Sequence, residues 1–212
     1  MGSADKGRAA LRAIGRPVSF RRSERLIALG DRSEDVVLLL GGLVKAVLSD
    51  HRGSVTVTGL FGAGDVVGEV GVLRRCARTA DIVGLRPGTA VRVPAADFLR
   101  LQEQDRDVRV LLDEAAWKRQ RYADDRQLSQ TRGLPARVAM FLLGWAKEHG
   151  EQRPDGLHMS GLSQRDIAEG VCAAAQSVET VLQELRRDSL LETGRLRYRL
   201  PDPAAIESKI SG

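Results

Sequence analysis

Between Phe20 and Val93 the chain repeats one device: a short β-branched and aliphatic run, then a turn. The runs are 36–40, 43–48, 55–58, 79–83 and 90–93. The turn signals between them are Gly30-Asp31, Gly41-Gly42, residues 50–53, Gly62-Ala63-Gly64-Asp65 and Arg86-Pro87-Gly88. β-branched side chains suit a pleated, half-buried surface, and glycine supplies turn backbone that other residues adopt only with strain. Many short strands at such spacing predict a jelly-roll or barrel-like sandwich rather than a parallel sheet with crossover helices.

The pattern changes at Pro94. A helical segment starts at Ala95, and residues 106–131 form a long polar helix with no glycine or proline. Val108, Leu111, Ala115 and Tyr122 roughly follow a 3-4-3-4 spacing, interrupted by Lys118. That spacing suits one strand of a parallel two-helix seam. The other reading is a helix packed on its own β domain through Leu112, Ala116 and Trp117, and the polar lower half does not decide between them. Gly133-Leu134-Pro135 breaks the helix and marks a hinge. Val138, Phe141, Leu142 and Trp145 then recur at helical spacing as far as His149-Gly150, before a turn-rich loop over 151–156. Ser163 is placed to cap a helix over 164–170, with Asp166 as a capping-box-like partner. A short turn, a second helix over 174–187 and a hairpin over 190–199 complete a winged helix-turn-helix. Residues 1–16 read as an arm or short helix. The expected fold class is α+β: an N-terminal β-jelly-roll (1–105), a long helix (106–132) and a C-terminal winged helix-turn-helix (133–212).

An apolar content of 42% with 29% charged residues suits a soluble chain with real cores. No apolar run is long enough to span a bilayer, and no signal-peptide pattern opens the chain. Cys76 and Cys172 make no disulfide framework and are too few for an iron–sulfur cluster, so a reducing cytoplasm and no membrane partner are expected. No nucleophile–base pair or metal cluster emerges, which argues against an enzyme. The net charge of +5 makes nucleic acid a plausible partner. Yet residues 133–212 carry 10 Lys+Arg against 11 Asp+Glu, so any DNA surface there must come from local clustering.

The segment Gly68-Glu69-Val70-Gly71 followed by Arg78-Thr79-Ala80 carries the chemistry. Glu69 can accept from a ribose hydroxyl, and Arg78 can offer a guanidinium fork to a phosphate. Gly68 and Gly71 let backbone approach a ligand, and residues 70–73 can form a helical turn whose amides face an anion. The other reading is an ordinary ion pair between Glu69 and Arg78 across a loop.

In order and spacing, Gly30-Asp31, Gly42-Leu43-Val44-Lys45, Gly64-Asp65, the segment just described and Ser163-Gln164-Arg165-Asp166-Ile167-Ala168 resemble the CRP/FNR family of transcription regulators, over about residues 18–200. The resemblance implies a phosphate-binding cassette of Gly68, Glu69, Val70, Arg78, Thr79 and Ala80. In it Glu69 would take the ribose 2′-hydroxyl, and Arg78 with the Thr79 hydroxyl would take a cyclic phosphate. Thr79 hints at cGMP but also occurs in cAMP binders. Tyr122 and Ala123 fall where the family's long helix supplies base contacts. The Tyr122 ring can stack on a purine or sit in a helix seam. The haem and iron–sulfur branches are set aside, since no histidine near Cys76 completes a haem site, and neither metal nor haem is expected.

The resemblance implies DNA contacts from Ser163, Gln164, Arg165, Gln176, Ser177, Thr180, Arg195 and Arg197, with Arg186, Arg187 and Arg199 as further phosphate holders. The recognition helix departs from the family. It has Ala175, Gln176 and Thr180 where arginine, glutamate and a second basic residue are common, and residues 174–185 hold no Lys or Arg. Cys172 replaces the expected turn glycine. The expectation is a homodimer joined through residues 106–132 that binds a double-stranded operator in response to cAMP or cGMP, with RNA polymerase as partner if it activates. The alternatives are a ligand-independent DNA binder, or a nucleotide-sensing interaction protein whose helix-turn-helix no longer reads DNA.

Overall fold

In the computed structural model, residues 2–49 and 55–211 are described, and the chain divides into two units, Met1–Tyr122 and Ala123–Gly212. The turn expected over 50–53 lies outside the described residues.

The first unit opens with helix α1 (Ser3–Ile14) where an arm or short helix was expected. Eight strands follow: β1 (Arg16–Phe20), β2 (Arg25–Ile27), β3 (Asp35–Leu39), β4 (Leu43–Ser49), β5 (Val55–Gly62), β6 (Val66–Val67), β7 (Asp81–Arg86) and β8 (Gly88–Pro94). Helix α2 (Glu69–Arg74) sits between β6 and β7, and helices α3 (Ala95–Gln104) and α4 (Arg106–Gln130) follow β8, with α4 counted in the second unit from Ala123 on. The strands form two antiparallel sheets, β1-β8-β3-β6 and β2-β7-β4-β5.

Strand β3 explains how the unit packs. Its alternate residues serve two cores, so it reads as a continuous apolar run. Val37 and Leu39 join Phe20, Val44, Phe61, Ile82 and Ala90 inside the roll. Val36 and Leu38 face the other way, into a cluster with Leu11 of α1, Phe98 of α3 and Val108, Leu111 and Leu112 of α4. Gly7 lets α1 close on α4, because a Cβ there would lie 2.4 Å from the Asp107 carbonyl oxygen.

This packing divides the two readings of the long helix: its first turns pack on their own β domain, as expected at Leu112, while Ala116 and Trp117 do not. Val108 and Leu111, expected in a seam, are fully buried in their own unit, and Leu112 is mostly buried beside them. Trp117, expected to pack inward, is 63% exposed. The helix is anchored by its first two turns, while Trp117 and Leu128 further along it are exposed.

The second unit holds α5 (Leu134–His149), β9 (Glu151–Arg153), β10 (Gly156–Ser160), α6 (Gln164–Val171), α7 (Ala175–Arg187), β11 (Glu192–Gly194), β12 (Arg197–Leu200) and α8 (Pro203–Ser211). Its sheet runs β11-β12-β10-β9. Residues 151–156, expected as a loop, begin with strand β9, an exposed three-residue strand ordered by pairing with β10. The core gathers Val138, Leu142 and Trp145 of α5 with Ile167, Val178, Leu182 and Leu200, and Trp145 meets Tyr198 edge-on at 5.5 Å. Helix α8, absent from the expectations, buries Ile206 completely and ties Glu207 to Lys147 of α5 at 2.5 Å.

Candidate functional site

In the first unit a cavity of about 310 Å³ opens between β4, β5, β7, α2 and one turn of α4. That lies at the lower end of the roughly 300–1,000 Å³ of small-molecule sites. Ile27, Ala46, Leu48, Phe61 and Ile82 make an apolar wall. Gly68, Glu69, Val70, Arg78, Thr79 and Ala80, all expected from sequence, line the polar side.

Gly68 adopts φ +84 just before α2, a backbone that disfavours any side chain. A Cβ there would also approach within 2.7 Å of Arg78 Nη1. Gly71 is different: its missing side chain makes room for Ser33, whose Oγ a Cβ would meet at 2.0 Å. Gly71 lines the cavity as well, so its glycine serves local packing beside the ligand approach expected from sequence.

Glu69 is 2% exposed and Arg78 6% exposed. They do not form the direct ion pair weighed from sequence; each has another partner. Arg119 of α4 places its guanidinium against Glu69 Oε1 as an ion pair. That oxygen is buried. Burial raises the Glu69 pKa above the ordinary glutamate value, and the nearby Arg119 and Arg78 charges oppose that rise.

Arg78 donates from Nη1 to the Gly68 carbonyl at 2.8 Å. It donates from Nη2 to the Asp35 carbonyl at 2.8 Å and to Asp35 Oδ1 at 2.6 Å. Asp35 Oδ2 accepts from Arg92 Nη1 at 2.6 Å. Both terminal nitrogens thus already have acceptors, and an incoming phosphate would share Arg78 with Asp35.

Tyr122 does not line the cavity, and Ala123 belongs to the other unit. The residue that α4 supplies is Arg119, three positions before Tyr122 and missed from sequence. On so polar a helix, nothing in the pattern distinguished it from its charged neighbours.

In the second unit Ser163 caps α6. Its Oγ accepts from the Asp166 amide at 3.2 Å, and Asp166 Oδ2 accepts from the Ser163 amide at 2.7 Å. That hydroxyl is already engaged, which weakens its candidacy as a DNA contact; Gln164 beside it is half-buried. Arg165 is exposed but paired with Glu169 at 2.9 Å. Along α7, Gln176, Ser177 and Thr180 are exposed, while Val178, Val181, Leu182 and Leu185 are buried. The Thr180 hydroxyl donates back to the Gln176 carbonyl at 3.2 Å. Cys172 holds the turn at φ +52, the conformation glycine would have supplied.

The wing is less uniform than its alternating arginines suggested. Arg195 lies in the β11–β12 turn and Arg197 starts β12, both exposed. Arg199 is bound to Glu192 and Asp155, and Arg186 to Thr193 and Glu179, so both are structural rather than free to hold phosphate. Arg187 lies beside Asp188 at 3.8 Å. Among the described residues there is no group of His, Cys, Asp and Glu able to hold a metal ion, and no helix long and apolar enough to cross a membrane.

Comparisons with known proteins follow the same division. A family model described as a cyclic nucleotide-binding domain matches residues 17–105, and one described as a Crp-like helix-turn-helix domain matches residues 136–208. The chain is 26% identical over 200 residues to the global nitrogen regulator of Synechococcus elongatus, covering 91% of this chain and 88% of that protein. It is 28% identical over 101 residues to a lysophospholipase of Coccidioides immitis, but spans only 6% of that protein's length. A CRP-family transcriptional regulator from Thermus thermophilus superimposes with a TM-score of 0.77 at 25% identity, over 92% of this chain and 97% of that one.

Proposed function

The chain belongs to the CRP/FNR family of transcription regulators, with a cyclic-nucleotide-binding domain and a helix-turn-helix rather than an enzyme's machinery, and from that premise we propose a cytoplasmic homodimer whose hold on a double-stranded DNA operator is set by cAMP or cGMP. The observation that carries the ligand reading is the buried pair of opposite charges, Glu69 and Arg78, on one wall of an otherwise apolar cavity. The apolar wall suits a purine. Glu69 would accept from the ribose 2′-hydroxyl, while Arg78 and the Thr79 hydroxyl would meet the cyclic phosphate.

Arg119 gives the ligand a way to act on the long helix. A ribose that engages Glu69 changes what holds Arg119, and Arg119 stands on α4, which runs on to Gln130. Residues 131–133 then break the chain before α5. The ligand must favour one arrangement of the dimer, since tight binding alone shifts nothing. The proposed seam is the exposed stripe of α4 carrying Trp117 and Leu128, 63% and 62% exposed. They are eleven residues apart, about three helical turns, and so share a face.

On the DNA side, Gln176, Ser177 and Thr180 would address base edges, and Arg165, Arg195 and Arg197 phosphates. Two recognition helices would then read half-sites about 34 Å apart. RNA polymerase would be the partner of an activating form.

A second reading has its own support. Asp35 and Gly68 already engage both terminal nitrogens of Arg78, as a ligand-independent regulator would require. Titration calorimetry with cAMP and with cGMP separates the two. Saturable heat with either, together with a nucleotide-dependent rise in operator affinity, supports the main reading; no heat with both leaves the ligand-independent one.

A further inference from the structure

Arg78 is not alone behind the cavity wall. Asp35 accepts from it through Oδ1 and from Arg92 through Oδ2, both at 2.6 Å. The Arg78 side chain is 5% exposed and that of Asp35 22%. Arg92 also donates to the Leu26 carbonyl, so it is itself fixed. A carboxylate held by two fixed guanidinium groups cannot swing away when an anion arrives. The carbonyls of Gly68 and Asp35 hold the Arg78 guanidinium independently of that carboxylate, each at 2.8 Å.

From this we infer that Asp35 is a specificity-determining residue that restricts the site to phosphates carrying a single negative charge, cyclic diesters over open-chain monoesters. The inference rests on the cyclic-nucleotide reading above. Among the described residues, the charged groups lining the cavity are Glu69, Arg78 and Arg119, and Asp35 and Arg92 extend the same ion-paired set. Two carboxylates against three guanidinium groups leave one positive charge. A cyclic phosphate diester, with one negative charge, brings the set to neutrality. A phosphate monoester carries about −1.5 to −2 at neutral pH and overshoots. The excess charge would face the Asp35 carboxylate across a single guanidinium in a poorly hydrated wall, where like-charge repulsion is strong. Without Asp35 the set holds two positive charges, and a dianion becomes the better match.

The test compares three probes by calorimetry on the full chain: cAMP, 5′-AMP and the methyl ester of 5′-AMP, which is open like AMP but singly charged. The same series with guanosine is run where cGMP binds better. In the wild type, cAMP should bind most tightly and the methyl ester more tightly than AMP, despite its extra bulk. In Asp35→Asn the preference for cAMP over AMP should shrink by at least about tenfold, which two unit charges within about 10 Å exceed at an effective dielectric constant of about 20. An Asp35→Asn protein that binds cAMP with an unchanged preference overturns the inference. If that variant does not fold, the wild type decides alone, because AMP binding as well as its methyl ester has the same consequence. Failure of the wild type to bind either cyclic nucleotide overturns the parent reading, and this one with it.

Discussion

The cassette and the reading head handle charge in opposite ways. Around the cavity, Glu69 is matched with Arg119 and Arg78 with Asp35, and the two cassette residues are almost wholly buried. On the reading head, Gln176, Ser177, Thr180, Arg195 and Arg197 stand in solvent, while Arg186 and Arg199 are spent on their own unit. Buried charges are held in one geometry, because losing a partner leaves an uncompensated ion. Exposed groups are screened and act nearly independently. The cassette should therefore respond to single substitutions in large steps and the reading head in small ones.

The largest step is expected from Arg78→Leu. It removes the cation that meets the phosphate, and charge-assisted hydrogen bonds are worth about 1.5–3 kcal/mol each. Nucleotide affinity should fall about a hundredfold, read by calorimetry. Retained wild-type affinity would break the cassette side of the comparison.

Glu69→Gln should weaken nucleotide binding about tenfold, the cost of one charged hydrogen-bond acceptor. It should also change how stability depends on pH. Because the native pKa of Glu69 lies above the ordinary 4.5, the folded state holds this proton more readily than the unfolded chain. Its contribution is full below 4.5, declines as pH rises toward the raised native value, and is level above it. Denaturant titrations of the ligand-free protein across that window should show the decline in the wild type and not in the variant.

On the reading head, Gln176→Ala should cost about 1–3 kcal/mol at operators with an adenine at the contacted position, and nothing where that adenine is replaced. Competition binding with single-base operator variants checks this. Equal losses on every sequence would show that Gln176 reads no base. The smallest effects belong to Arg195→Ala and Arg197→Ala. Each should lower the slope of log affinity against log salt by about 0.9 while leaving sequence preference intact. A loss of discrimination from either would make the wing a reader and narrow the contrast between the two regions.

How much of this was legible in the sequence follows the same contrast. The strand runs, the cassette, the Ser163 cap and the apolar spacing of α7 were readable because each is a local pattern with a local cause. The anchoring of α4 was not: Val108 and Leu111 carry a spacing that suits a seam and a core equally, and only the sheets beneath them chose the core. Strand β9 is three exposed polar residues whose order comes from β10. Arg199 looked free because its partners Glu192 and Asp155 come from other strands and turns.

What the sequence determined by itself was the order of the parts, a strand-rich roll, a long helix and a winged helix-turn-helix, and the residue types of the cassette. Periodicity and turn chemistry act over a few residues, so they survive in a one-dimensional reading. The tertiary structure decided which charges meet. Asp35 meets Arg78 from a strand 43 positions away and is itself held by Arg92, and Arg119 reaches Glu69 from a helix 50 positions on. Burial and ion pairing join residues that share no local pattern, and they turned the expected open fork of Arg78 into one already held at both ends.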